Sequence, residues 1–297
     1  VNPSEPGTRE HHGDEQPSPD ITAGPARRVW GLPLAVQFLT VLPWPRPGRA
    51  AGEHNAPDMA AALPWFPLVG AALGGLLALL DWALTPLFSV AVRSVLVLVV
   101  SALLTGMLHL DGFVDCCDAL LGSRSVSRRL EILRDSRVGA YGALGAALLC
   151  LARFAAVESL PVGVRAFALI VAPLLGRWAV VYAVVRYPYL RQSGAGTLFR
   201  AEGARGPQGG VLALTSAIAL ALLLATSFAA RTAQSAGFIL AGLLAIVSLG
   251  VVACWAWWAS RRLGGGLTGD TYGAANELVE LAVLALVPPL ALLAGRA

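Results

Sequence analysis

His109-Leu110-Asp111-Gly112-Phe113-Val114-Asp115-Cys116-Cys117-Asp118 places three carboxylates in eight residues, directly after the apolar run 90–107. On an α-helix, residues four and seven apart return to one side, so Asp111, Asp115 and Asp118 project from one narrow face. Three like charges there repel, and a helix that keeps them needs a cation or holds some of them protonated. Oxygen ligands select a hard cation, Mg²⁺ or Mn²⁺, and Mg²⁺ held by few carboxylates completes its shell with phosphate and water. The stretch therefore points to phosphate chemistry at a membrane face.

Its surroundings are apolar. Of 297 residues, 56% are hydrophobic and 13% charged, about half the charge of ordinary soluble domains. The expected fold is an all-α, polytopic membrane helix bundle with spans at 60–80, 90–107, 138–157, 167–185, 211–229, 238–258 and 278–293. Within the first of these, Gly70, Gly74 and Gly75 suit close helix packing. Residues 29–45 are apolar too, but Pro33, Pro43 and Pro45 leave a helix too short to cross, which reads as interfacial or re-entrant. Residues 1–28, rich in Pro, Gly and charge, read as a disordered tail without a signal-peptide pattern, and 29–297 as one membrane-embedded domain.

Orientation follows from the arginines. All 22 basic residues are Arg. An N-in, seven-span chain puts sixteen in the cytoplasm and four, Arg93, Arg165, Arg231 and Arg296, on the other side, as the positive-inside rule requires. Their dispersal over loops argues against a nucleic-acid partner. The topology brings the acidic stretch, the loop 186–210 and the segment 261–277 to one face. The four cysteines show neither a disulfide framework nor metal-ligand spacing, so Cys116 and Cys117 read as packing residues.

Two further segments carry polar groups. After the acidic stretch, Leu130, Leu133, Arg134 and Arg137 suit a short interfacial amphipathic helix. Arg128 and Arg129 read as membrane anchors or as phosphate contacts, and Asp135 as a metal ligand or as the partner of a nearby arginine. Near the end, Gly264-Gly265-Gly266-Leu267-Thr268-Gly269-Asp270 offers a backbone that a ligand can approach closely. Asp270, Asn276, Glu277 and Glu280 then lead into the last span, where ionisable groups are costly and mark function. Their structural alternative is hydrogen bonding to Arg153 and Arg177, the arginines inside spans.

Taken together, Gln37-Phe38-Leu39-Thr40 with Trp65-Phe66-Pro67-Leu68-Val69-Gly70, the acidic stretch with Leu130-Glu131-Ile132 and Asp135-Ser136-Arg137, and Gly265-Gly266-Leu267-Thr268-Gly269-Asp270 with Gly273-Ala274-Ala275-Asn276-Glu277-Leu278 resemble the cobalamin synthase family. These enzymes are the membrane-bound adenosylcobinamide-GDP ribazoletransferases. The resemblance covers about residues 30–295. It implies that a ribose hydroxyl of α-ribazole, or of its 5′-phosphate, attacks the phosphate attached to adenosylcobinamide in adenosylcobinamide-GDP, releasing GMP with Mg²⁺ as cofactor.

On this reading Asp111, Asp115 and Asp118 hold metal with Asp135 as a further ligand. Asp111, Asp115, Arg137 and His109 are the candidate catalytic groups, His109 as a base or a structural hydrogen-bond partner. Arg128, Arg134, Asp270, Asn276 and Glu277 are the candidate substrate contacts. Expected partners are the two substrates and membrane lipid, with a homo-oligomer or an assembly with other corrinoid enzymes open. The expected location is a bacterial or archaeal plasma (inner) membrane, with N-terminus and active site cytoplasmic. A cation- or proton-coupled transporter is the alternative, since it too needs membrane carboxylates.

Overall fold

The computed structural model describes residues 31–43, 60–191, 208–229 and 234–293. The expected tail 1–28 lies outside them, as do Arg200, Arg205, Arg231 and Arg296. Among the described residues the chain is helical without named strands: α1 (Gly31–Leu39), a 3₁₀ turn (Leu63–Trp65), α2 (Phe66–Ala83), α3 (Val90–Leu104), α4 (Leu108–Leu120), α5 (Val126–Ile132), α6 (Ala140–Glu158), α7 (Val162–Arg186), α8 (Gln208–Ala229), α9 (Gln234–Leu263) and α10 (Gly269–Leu293). Five helices are long and apolar enough to cross a membrane, six if the bent pair α3 and α4 counts as one. The expected span 211–229 falls on α8, whose apolar part, Gly210–Ala225, is shorter.

The centre of the bundle is α7, buried along most of its length and packed by α2, α8, α9 and α10. Lipid tails are as apolar as leucine, so close backbone approach has to hold such helices together. Gly74 of α2 supplies it: a Cβ there would stand 2.5 Å from Leu169 O and 2.6 Å from Ile170 Cα of α7. Gly70 meets Pro173 in the same way, while Gly75 faces open space. Two of the three expected glycines therefore mark the contact. Gly74→Val is expected to cost about 1–3 kcal/mol through overpacking, read as a lowered unfolding temperature in detergent, whereas Gly75→Val changes it little.

Arg93 and Arg165, counted from the sequence only as charges on the non-cytoplasmic side, have structural partners. Both lie inside helices, 7% and 4% exposed, and both pair with Asp81: Arg93 Nη1 to Oδ2 over 3.0 Å, Arg165 Nε to Oδ2 over 2.9 Å. Arg165 also donates to Ser94 Oγ (3.0 Å) and Val157 O (2.5 Å). The cluster joins α2, α3, α6 and α7 at one end of the bundle.

At the other end the acidic stretch is not a continuation of its span. The backbone turns through Gly106 (φ 58°) and Met107 (φ 57°), and α4 leaves α3 at 91°. Two successive left-handed residues cannot extend a right-handed helix. As a result α4 meets the starts of α6 and α10 and the end of α9, lying across the bundle end. The short α1 closes beside it, with Phe38 stacked on Phe66 at 5.8 Å and Val41 N donating to Leu104 O over 2.9 Å.

Candidate active site

Asp270 is brought to the acidic face of α4. A Cβ on Gly112 would lie 2.7 Å from Asp270 O, and one on Gly273 would lie 3.0 Å from His109 O. The start of α10 therefore rests directly on α4, with the Asp270 backbone against the turn between Asp111 and Asp115. Burial, then the charges of Asp111 and Asp270, push the Asp115 carboxyl up to about 7, against the pull of Arg191. Gly112→Ala is expected to move α10 off α4, lowering turnover more steeply than unfolding temperature; an equal loss of both would mean simple packing damage.

The segments expected to share this face do meet. Residues 187–191 pair with the glycine-rich loop through Leu267 N to Pro188 O (2.7 Å) and Leu190 N to Leu267 O (2.9 Å). This pairing carries Arg191 to Asp270, Nη2 to Oδ2 over 2.5 Å, and the same nitrogen donates to Leu133 O over 2.6 Å. Thr268 Oγ1 donates to Asp270 as well, over 3.2 Å. Sequence alone gave Arg191 no role beyond orientation, because its partner lies 79 positions away.

Asp118, at the far end of the acidic face, and Asp135 are both engaged by protein donors. Asp118, 8% exposed, accepts hydrogen bonds from Gly139 N (2.8 Å) and Gly142 N (2.9 Å). A helix start leaves amide groups unpaired and attracts negative charge, and the N-cap residue Gly139 has no side chain to satisfy them. Asp118 does so from a neighbouring helix. Asp135 is clasped by Arg137, Nη2 to Oδ2 over 2.8 Å and Nε to Oδ1 over 3.0 Å. Hydrogen bonds from that side chain and from Arg137 N hold its carboxyl down at about 2. Arg128 pairs with Glu131 at 2.6 Å in solvent, and Arg134 is exposed.

Beneath the acidic face lies a second ionic group. Arg153 of α6 pairs with Glu277 and Glu280, Arg177 of α7 pairs with Glu280, and Asn276 Nδ2 donates to Glu280 Oε1 over 2.9 Å. Glu277 stands eight residues into α10, about 12 Å along its axis. The structural alternative for Asn276 and Glu277 is thus what the fold contains, although Arg153 Nε, Arg177 Nε and Asn276 Oδ1 are buried without a protein partner. A cleft of about 390 Å³ between α3 and α6 reaches this group, walled by Leu98, Leu149 and Phe154 and floored by His109, Arg153 and Glu277. His109 therefore faces the buried charges. Cys116 and Cys117 are buried and unpaired, as expected of packing residues.

Among the described residues no three His, Cys, Asp or Glu side chains converge closely enough to cage a metal ion unaided. Asp111, Asp115 and Asp270 nevertheless fit Mg²⁺ chemistry. They are oxygen donors carrying more negative charge than Arg191 offsets, and Mg²⁺ is commonly held by one or two carboxylates plus substrate phosphates.

Residues 31–288 match the family model described as cobalamin-5-phosphate synthase. A relative from Roseiflexus sp., named adenosylcobinamide-GDP ribazoletransferase, is 38% identical over 285 residues, covering 93% of this chain and 99% of its own. Relatives of the same name from Desulfitobacterium hafniense and Deinococcus radiodurans are 36% and 38% identical, covering 87% and 85% of this chain and 95% and 83% of theirs. No solved structure matches. A family match that takes in α1, the acidic helix and the glycine-rich loop, together with full-length relatives, leaves one assignment: the chain belongs to the cobalamin-5-phosphate synthase family.

Proposed function

We propose that this chain is the adenosylcobinamide-GDP ribazoletransferase of its host, joining the adenosylcobinamide phosphate moiety to α-ribazole or α-ribazole 5′-phosphate and releasing GMP. The observation that carries this reading is the contact between Gly112 of α4 and the backbone of Asp270, which puts the charges of Asp111 and Asp270 on Asp115, in a chain matched by the family over 31–288. A ribose hydroxyl of the acceptor attacks the phosphorus next to adenosylcobinamide; a new P–O bond forms and the P–O bond to GMP breaks. Asp111, the exposed member, or Asp115 accepts the hydroxyl proton. Arg191 holds Asp270 in place and adds positive charge where the phosphate oxygens gather. Asp111, Asp115 and Asp270 would hold Mg²⁺ together with the substrate's own phosphates, and the bound ion would supply charge neutralisation at the diphosphate.

The acidic face carries Arg124, Arg128, Arg129, Arg134, Arg137, Arg191, Arg261 and Arg262, while the described arginines of the opposite end, Arg93 and Arg165, are spent on Asp81. By the positive-inside rule, the active face belongs in the cytoplasm of a cell with a single or inner plasma membrane. The transporter reading finds no support: Glu277 and Glu280 are deep in the bundle but neutralised by Arg153 and Arg177.

The test is GMP release by purified protein in lipid vesicles supplied with adenosylcobinamide-GDP, Mg²⁺ and acceptor. GMP equal to corrinoid product, and only with all components present, is the expected result. Folded protein that releases none overturns the proposal, and a cation flux in its place would restore the transporter.

A further inference from the structure

The C-terminal end of α4 holds a group of charges that this transfer leaves unused. Arg124 follows α4, Arg129 lies on α5, and Arg262 closes α9. Arg129 Nη1 donates to Arg262 O over 2.8 Å, Arg262 Nη1 to Leu120 O over 3.1 Å, and Arg124 Nη1 to Asp118 O. Each guanidinium has five donors, and these bonds use one apiece. Two of them also make cation–π contacts, Arg262 over Trp258 at 5.1 Å and Arg124 over Tyr141 at 5.7 Å.

Among the described residues none of the three pairs with a carboxylate, whereas Arg128, Arg137 and Arg191 each do. Arg129 Nε is buried and has no partner. One cation at a helix C-terminus complements the dipole, but three repel one another. Burial first, then Arg262 and Arg124, draw Arg129 below the usual guanidinium range. Beside them runs the glycine turn. A Cβ on Gly264 would stand 3.3 Å from Val126 Cγ1 of α5, and Gly265 (φ 113°) faces open space, leaving backbone accessible to a ligand.

We propose that Arg124, Arg129 and Arg262, with the open glycine turn, form a phosphate-binding subsite for a phosphate group of one of the two substrates. This rests on the transfer reading above. Five residues separate Asp115 from Leu120, about 7.5 Å along the helix, so a single substrate molecule can reach from the reacting carboxylates to the subsite. The phosphate has two sources. It is the guanosine-side phosphate that departs in GMP, or the 5′-phosphate of the acceptor.

The experiment uses the full chain in nanodiscs of neutral lipid and measures equilibrium binding of GMP, α-ribazole 5′-phosphate and α-ribazole, with turnover alongside. Arg129→Gln, Arg262→Gln and the charge-preserving Arg262→Lys are compared with the parent, and the exposed Arg186→Gln controls for net charge. One phosphate-bearing probe is expected to lose about tenfold affinity or more in both Gln variants, with Arg262→Lys between them and the parent. Loss for GMP assigns the donor, and loss for α-ribazole 5′-phosphate the acceptor, provided α-ribazole binding is unmoved.

Unchanged binding of both phosphates overturns the subsite, and so does equal weakening of α-ribazole. Variants altered only in their response to added anionic lipid overturn it too, since the arginines would then be membrane anchors. Parent protein that binds GMP through these arginines yet transfers nothing keeps the subsite and removes the transfer reading. Normal transfer with indifferent variants does the reverse.

Discussion

Asp115→Asn is expected to reduce GMP release at least about a hundredfold, the scale seen when one preorganised charge-stabilising group is removed from a site. Asp111→Asn and Asp270→Asn should fall in the same range, because the Gly112 contact seats the start of α10 on the turn between Asp111 and Asp115, and both charges act on Asp115. The informative comparison is with the other two aspartates of the region. Asp135→Asn is expected to keep activity within a few-fold, since that carboxylate is engaged by Arg137 in solvent. Asp118→Asn loses part of its capping of α6, a cost of about 1–3 kcal/mol, and should appear chiefly as a lower unfolding temperature. Parallel GMP assays and thermal unfolding across all five variants decide the matter. Equal loss of turnover in Asp118→Asn and Asp135→Asn would return the metal to the four aspartates that the sequence alone suggests.

The largest effect on stability is expected at Glu280. Its carboxylate faces both Arg153 and Arg177 and accepts from Asn276, so Glu280→Ala leaves Arg177 in the bundle without an anionic partner. Removing one member of a buried pair costs about 3–5 kcal/mol, because an uncompensated charge stays behind. Glu277→Gln should cost less, as Arg153 keeps Glu280. Replacing Arg153 and Glu277 together, by Met and Gln, should cost less than the sum of the single changes, since the residues share one network. Thermal unfolding in detergent, with the amount of protein inserted in the membrane as a second readout, measures all four. Additive losses would show that the ionic group is not the unit described here.

Much of this protein is legible in its sequence. Low charge and long apolar runs require a helical membrane bundle, since backbone groups in hydrocarbon must satisfy one another locally. The four- and three-residue spacing of Asp111, Asp115 and Asp118 does put them on one side of one helix, and Gly70 and Gly74 do mark a helix contact. Such inferences succeed because they concern neighbours along a single element, where helix geometry fixes who stands beside whom.

What that reading misses involves partners from distant parts of the chain. Asp118 shares the acidic face, but the start of α6 covers that end, and two amide groups claim its carboxylate. Asp270 takes its place because a glycine on each helix lets α4 and α10 touch. Arg93 and Arg165 count only as charges on the non-cytoplasmic side until Asp81 is seen between them. Periodicity also carries the second span to Met107, whereas α3 ends at Leu104 and positive φ at Gly106 and Met107 turns the chain aside. The sequence by itself determined the class of fold, the family and the chemical character of the acidic helix. Only the tertiary structure decided which carboxylates gather and which are spent on caps and ion pairs, because that depends on how closely separate helices approach.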